Sequence, residues 1–309
     1  MMHLPDTRPT RPAHPPLQIL WRDDDLVAVY KPAGWLVHRT GLDAGETRFV
    51  MQALRNQLGR RVYPVHRLDK GTCGVLVMGL HADAARALSQ SFEHHRVEKR
   101  YLALVRGHAP ASTLVDHALR PDDAPPDAAV QPARTLLRCL ARLELAEASD
   151  ARFPTTRAAL VEALPETGRR HQIRRHLKHI AHPILGDATH GKGPLNRWWA
   201  ERLGLQRLWL HAWRLILPHP ATGQRLVLQS GLRHALLEEG GTHAALAATA
   251  PVAPMGLEES GAEACTVANG AAGAMAVTDS AMPADLSDWQ TRVLSLPWVG
   301  CPGERSPQA

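Results

Sequence analysis

The sequence has little from which to build a disulfide framework, a zinc ribbon or a membrane span. Its four cysteines, Cys73, Cys139, Cys265 and Cys301, stand far apart in 309 residues with no C-x-x-C pair. That spacing argues against structural disulfides and zinc, and it fits a reducing compartment. No stretch approaches the roughly 18 uninterrupted apolar residues a membrane helix needs. The opening MMHLPDTRPTRPAHPP puts proline where a signal peptide needs an apolar run. A cytoplasmic protein without a membrane partner is expected. Cofactor signatures are missing as well: there is no G-x-x-x-x-G-K-[ST] loop, no G-x-G-x-x-G after a strand and no H-E-x-x-H. No cofactor is expected. Aromatics are sparse, with three Tyr and three Phe in the whole chain, so a Tyr beside a candidate site stands out.

What is present is a 44% apolar content, ample for one large domain or two small ones. The net charge of +6 is unevenly spread. Residues 241–309 hold two Arg, no Lys and seven acids, a balance of −5, which leaves +11 for residues 1–240. A basic folded part favours a polyanionic partner through phosphate contacts and counterion release. The competing reading is compositional bias alone.

The chain is organised around HRLDKGTCGVLVMGL, residues 66–80. GVLVMGL, bounded by turn chemistry, reads as a strand buried on both faces, so Asp69 sits on a turn at the rim of a sheet. His66 and Arg67, just upstream, are close enough to hold such a carboxylate ionised. An ionised, partly desolvated Asp serves as nucleophile or base; the alternative is that Arg67 and Asp69 simply pair and fix the turn.

Elsewhere the pattern divides the chain into a flexible Pro-rich leader (1–16), a folded domain (17–239) and a disordered Ala- and Gly-rich acidic tail (240–309), with a short helix near DLSDWQTRVLSL. LQILWR and LVAVYK read as strands joined at Asp23, Asp24 and Asp25, a polar turn in preference to a metal site. ETRFVMQALRNQLG reads as a helix capped by Gly59. HADAARALSQSFEHH reads as a second amphipathic helix, running into the basic connector HHRVEKRY. KRYLALVRG is an apolar strand entered by Tyr101, and TLLRCLARLEL and TTRAALVEALP are further strands. Between His108 and Phe153 the signal is weak, and Arg134 and Arg138 are candidate RNA contacts. RRHQIRRHLKHI sets Ile173, Leu177 and Ile180 at helical spacing, with Arg174 flanking the apolar stripe and Arg170 one turn earlier. Its histidines (His171, His176, His179), with His182 and His190, invite a metal reading; the adjoining cationic crowd argues against it, and no metal is expected. LQRLWLHAWRLILPHPATGQRLVLQS reads as two strands around a turn, with Trp209 and Trp213 in the core.

HRLDKGTCGVLV resembles the central motif of the RluA-type pseudouridine synthases, and KPAGWLVH (31–38), EKRYLALVRG (98–107), TGRRHQIRRH (167–176) and HPILGD (182–187) agree with that family in the same order. The resemblance runs from about Leu17 to Leu232. It implies an α+β fold, a mixed and mostly antiparallel sheet flanked by helices with a central RNA-binding cleft. It implies an isomerase that converts a uridine in RNA to pseudouridine without a cofactor or an obligate protein partner. By the same resemblance Asp69 is the catalytic carboxylate, Arg174 pairs with it, Tyr101 stacks on the target base and Arg67 fills the place the base vacates. Ile173 joins Arg67, Tyr101 and Arg174 as a substrate-binding residue. GWLVHRTGLD and MQALRNQLG are most similar to the branch that modifies uridine 65 of tRNA, with ribosomal RNA the alternative substrate. Two departures stand in the motif, Cys73 for the usual Ser and Lys70 for the common Arg. Rivals from other classes are an RNA-binding relative that has lost the reaction and an N-glycosylase that releases free uracil. Whether Asp69 attacks the ribose, attacks the base or removes a ribose proton stays open.

Overall fold

Apolar runs punctuated by turn residues form a mixed sheet, here described from a computed structural model that covers residues 14–39, 45–122, 124–125, 127–238 and 283–300. In chain order its elements are β1 (Ile19–Arg22), β2 (Leu26–Lys31), α1 (Val50–Leu58), β3 (Tyr63–Pro64), β4 (Cys73–Gly79), α2 (Ala82–Glu93), β5 (Glu98–Arg106), β6 (Ser112–Asp116), β7 (Arg134–Leu145), β8 (Thr156–Pro165), α3 (Gln172–His179), α4 (Gly193–Leu203), β9 (Leu210–Pro218), β10 (Arg225–Gln229), α5 (Ala235–Glu238), α6 (Ala284–Asp288) and β11 (Val299–Gly300). The strands order as β1-β2-β4-β9-β5-β8-β7-β11, with β10 on β9, β3 on β4 and β6 on β7. This is the α+β arrangement expected from the sequence. No helix among the described residues is long and apolar enough to cross a membrane.

Among the described residues, every pairing between these strands is antiparallel except one. β4 runs parallel to β9 through only two residue pairs, Cys73↔His211 and Gly74↔Ala212. β2 and β4, by contrast, pair along six residues from Leu26↔Gly79 to Lys31↔Gly74. The sheet is therefore two antiparallel halves joined at a short parallel seam, and the Asp69 turn lies at the entrance to that seam. Gly74 makes the seam possible: a Cβ there would come within 2.1 Å of the Ala212 carbonyl oxygen, and its φ of +114° suits glycine. On the other side of β9 the register to β5 steps from Arg100↔Arg214 to Tyr101↔Ala212, leaving Trp213 as the extra residue of a bulge. Bulges re-aim the side chains around them, and this one sits at Tyr101.

The helices follow their sequence signals. α1 buries Val50 and Leu54 and ends on Gly59 in the left-handed region. α2 buries Ala84 and Leu88, and His81 caps it by accepting the Ala84 N–H at 3.3 Å. Trp209 and Trp213 lie in the core at 1% and 6% exposure. The Asp cluster forms a turn, in which Asp23 Oδ1 accepts the backbone N–H groups of Asp25 and Leu26 at 2.8 Å each. Strand β6, within the region where the sequence signal was weak, pairs with β7 from Ser112↔Arg138 to Asp116↔Arg134.

The short helix expected near DLSDWQTRVLSL is present, as α6 and the turn that follows it, and it packs on the domain. Residues 283–300 are not a disordered extension: α6 and the π-helical turn Trp289–Val293 bury Leu286, Trp289, Val293 and Leu294 against Trp199, Trp209 and Leu203. Trp289 is fully buried, with its ring edge-on to Trp209 at 5.5 Å. Burying a side chain of this size stabilises by roughly 1.5–3 kcal/mol, which explains why a short segment holds its place. Residues 240–282 and 301–309 of that tail, and residues 1–13 of the leader, lie outside the described residues. At the leader's end His14 sits edge-on to Trp35 and contacts the Thr47 carbonyl at 3.2 Å.

Candidate active site

The turn before β4 is fixed from below before any side chain reaches the cleft. Thr72 N–H donates to the Asp69 carbonyl at 3.1 Å, and Gly34 N–H donates to the Lys70 carbonyl at 2.7 Å. Lys31, fully buried, spreads its ammonium over the carbonyls of Trp35, Pro32 and Lys70 at 2.7, 3.0 and 3.2 Å. Burial pulls its pKa down to about 7. Three carbonyl acceptors match the three donors of an ammonium, so Lys31 ties the 32–35 loop to the Asp69 turn. Cys73 faces inward: Arg207 Nη2 donates to its Sγ at 2.9 Å and His211 Nδ1 lies 3.2 Å away. Burial raises this thiol's pKa, which suits a packing role at the Ser-to-Cys departure. Lys70, the other departure, turns outward and pairs with Glu46.

Asp69 itself is about one-quarter exposed and faces the N-terminal turn of α3. Arg174 Nη1 donates to Asp69 Oδ2 at 3.3 Å, and the other nitrogens of the same guanidinium are committed elsewhere. Nε and Nη2 donate to the two oxygens of Asp187 at 2.7 and 2.8 Å, a bidentate pair that fixes the plane of the guanidinium. Asp187 is 1% exposed. Its Oδ1 also accepts the backbone N–H groups of Thr189 and His190 at 2.9 Å, and Asn196 braces its backbone on both sides. Burial acts to raise the Asp187 pKa, but the bonds from Arg174 and from the two backbone amides outweigh it and hold it below the ordinary carboxylate range. Arg174 is thus a fixed cation whose remaining nitrogen, Nη1, faces Asp69.

The remaining walls bring together what lies far apart in the chain. A cleft of about 640 Å³ is lined by Arg67, Asp69, Lys99, Tyr101, Ile173 and Arg174, among others, with His66 and Phe92 on one side and residues 165–174 on the other. Tyr101 packs between the cores of the two sheet halves. Burial and the nearby Asp69 charge keep its phenol protonated. Ile173 is 6% exposed and adds an apolar side chain to the cleft lining. Arg67 is exposed at the rim and has no ion-pair partner among the described residues. The five sequence-predicted site residues therefore share one hollow.

Some sequence-level assignments change. His66 does not hold Asp69: its Nε2 accepts the Val77 N–H at 2.9 Å, its ring stacks on Phe92 at 4.6 Å, and burial lowers its pKa to about 3, so it is a neutral acceptor. Nor does Arg67 pair with Asp69; Arg174 takes that place. Arg134 pairs with Asp116 and Glu166, and Arg138 with the buried Glu162, so both serve the sheet. Arg100, in the basic connector, joins Glu98 and the same Glu162. Arg170 reaches Asp122 in place of Asp69. The histidines disperse: His176 lies between Thr135 Oγ1 and the His117 carbonyl, His182 contacts the Arg106 carbonyl, and His179 stacks on His117 at 3.9 Å. Only His171 and His190 stay together, at 3.3 Å.

Sequence reasoning missed Asp187, Lys31 and Gln172 as individual residues, although each lies in a quoted motif. Gln172 Oε1 accepts from Thr167 Oγ1 and Arg169 N–H at 2.6 and 2.9 Å, while its Nε2 donates to the Arg134 carbonyl and to Thr135 at 2.9 Å. It thereby folds the β8–α3 turn that delivers His171 and Arg174. A buried amide that saturates four partners is invisible to hydrophobic periodicity, because two of those partners come from β7.

The family model described as RNA pseudouridylate synthase matches residues 25–179. The chain is 51% identical over 223 residues to tRNA pseudouridine synthase C of Salmonella typhimurium, an alignment covering 70% of this chain and 85% of the relative. To tRNA pseudouridine synthase C of Yersinia pestis it is 49% identical over 219 residues, covering 69% and 85%. Among solved structures, human RNA pseudouridylate synthase domain containing 1 superposes with a TM-score of 0.54 at 26% identity, over 69% of this chain and 82% of that one. With a family model matched over half of the chain and relatives about 50% identical over most of their length, the chain belongs to the RNA pseudouridylate synthase family.

Proposed function

We propose that this protein isomerises a uridine in tRNA, uridine 65, to pseudouridine in the cytoplasm, with Asp69 as the catalytic carboxylate. The observation that carries the reading is the Asp69 carboxylate facing Nη1 of a buried, clamped Arg174 at 3.3 Å, inside a cleft that Arg67, Lys99 and Arg169 also line. The tRNA substrate rests on the relatives that carry that name. Uridine 65 rests on the resemblance of residues 34–43 and 51–59 to the branch that modifies that position.

The reaction breaks the N1–C1′ bond of a uridine within the strand, turns the detached uracil and forms a C5–C1′ bond. The proton on C5 is lost and N1 takes one up, so no atom is gained overall and no redox partner is required. An ionised carboxylate serves each role open to Asp69, whether attack on the ribose, attack on the base or removal of a ribose proton. Fixed charge beside it costs no reorganisation when the reaction occurs, which is the advantage of clamping Arg174 on Asp187. The Tyr101 ring supplies a flat face for the uracil, worth about 1–3 kcal/mol per stacked base. Ile173 adds an apolar side chain to the lining, and Arg67 at the rim is long enough to occupy the space the base leaves in the stack. A base must leave its stack before such chemistry, at a cost of a few kcal/mol, and the cationic walls offset this through phosphate contacts.

The test is Asp69→Asn in the full chain, assayed for pseudouridine at position 65 of tRNA from a strain lacking the enzyme. Retained RNA binding with loss of product is expected. Normal turnover by the variant removes Asp69 from the role, release of free uracil by the wild type makes the protein a glycosylase, and product confined to ribosomal RNA overturns the substrate.

A further inference from the structure

We propose that Arg170, His171 and Arg175 form a subsite for the RNA phosphate adjoining the target nucleotide, and that Asp122 occupies this subsite in the free protein. The proposal rests on the reading of the cleft as an RNA site and goes one step further, to where the strand runs and what it displaces.

Three basic groups converge on one carboxylate. Asp122 lies 2.8 Å from His171 Nδ1, 3.1 Å from Arg175 Nη1 and 3.7 Å from Arg170 Nε. Arg175 is held toward it by a 2.6 Å bond from the same Nη1 to the Arg120 carbonyl. Asp122 comes from the connection between β6 and β7, whereas the three basic residues belong to α3 and the turn before it. The carboxylate is thus a guest from another part of the fold. A nest of guanidinium and imidazole donors around an anion is the arrangement that binds phosphate, whose greater charge and additional oxygens let it compete with a carboxylate.

The position of the nest gives it a register. His171 points its Nε2 at Asp69 Oδ2, 3.9 Å away, while its Nδ1 faces Asp122. A single imidazole therefore separates the nest from the catalytic carboxylate, so an anion in the nest neighbours a nucleotide at Asp69. Asp122 also lines a second hollow of about 470 Å³, together with Arg175, Lys178, His117, His179 and His190. With Asp122 withdrawn, the cleft and this hollow join as one cationic trench along α3. A divalent cation is the competing occupant, since ligand atoms of Asp122, His171 and His190 lie within 4.8 Å of one another. Arg170 and Arg175 on the same carboxylate repel such an ion and favour an anion instead.

The experiment measures the affinity of the full chain for an unmodified tRNA transcript as a function of salt. Asp122→Asn is expected to tighten binding about three- to tenfold near 0.1 M salt, because the phosphate no longer has to displace a carboxylate from the subsite. Arg175→Ala in the wild-type background should weaken binding and flatten the slope, and the double variant should lose the gain of Asp122→Asn. Unchanged or weaker binding by Asp122→Asn overturns the proposal, as does an Arg175→Ala slope equal to the wild type. Pseudouridine yield by the wild-type chain on the same transcript is scored separately: a missing product refutes the catalytic reading, whereas the Asp122→Asn affinity and the Arg175→Ala slope decide the subsite.

Discussion

At the scale of the residue, the site depends on a charge that has been given one direction. Arg174 donates twice to Asp187 and once to Asp69, so Asp187 determines where Asp69 finds its cation. Replacing Asp187 by Asn keeps the shape but leaves a buried guanidinium short of its counter-charge. Breaking a buried pair in this way costs about 3–5 kcal/mol, and thermal unfolding should register it as a lower melting temperature, with pseudouridine yield falling alongside. The depressed Asp187 pKa also sets a pH dependence. Its stabilisation is fully present above the unfolded carboxylate pKa of about 4 and is lost as pH falls through the lower folded value. Acid unfolding curves for wild type and Asp187→Asn should therefore converge below about pH 4; curves that stay parallel would show that Asp187 is not the group responsible. Asp69, Tyr101 and Arg174 were legible in the sequence because each stands in a motif with a stated role. His66 was misjudged because proximity in sequence says nothing about which way a ring turns, and here it turns to the Val77 amide.

At the scale of the element, periodicity performs well where one face of a segment is buried and poorly where burial depends on distant partners. α1, α2, α3 and the long strands follow their apolar spacing, and Gly59 ends α1 as expected. The segment around α6 shows the opposite case. Leu286, Trp289 and Val293 carry the helical spacing behind the short helix expected there, but that spacing does not say what the apolar face packs on, and it finds its partners in α4 and β9. Asp285 adds a polar link, pairing with Arg207 and accepting the Ala33 N–H at 2.8 Å in the loop that leads to the Asp69 turn. Trp289→Ala should accordingly destabilise the domain by about 3–5 kcal/mol, the usual cost of emptying a large buried aromatic site. On a domain of this size that lowers the melting temperature by on the order of 10 °C. A variant melting with the wild type would mean that the segment is not seated in the core.

At the scale of the whole molecule, the excess of +11 on residues 1–240 is not spent evenly. Arg100, Arg134 and Arg138 are neutralised on the sheet, while Arg67, Lys99, Arg169 and Arg174 line the cleft. Affinity for tRNA should consequently fall log-linearly with salt, and Arg67→Ala should change product yield more than the salt slope if its work is to fill a vacated stack. A slope reduced by a full phosphate contact would instead make Arg67 a backbone clamp. By itself the sequence determined the α+β alternation and the order of the motifs, and it singled out Asp69 as the candidate carboxylate, because these depend on local spacing and residue chemistry. Only the tertiary structure decided which cation faces Asp69, which basic residues are already paired and where the C-terminal segment lies. Those outcomes depend on contacts across 105 residues from Asp69 to Arg174 and across 252 from Ala33 to Asp285, distances at which no local pattern carries information.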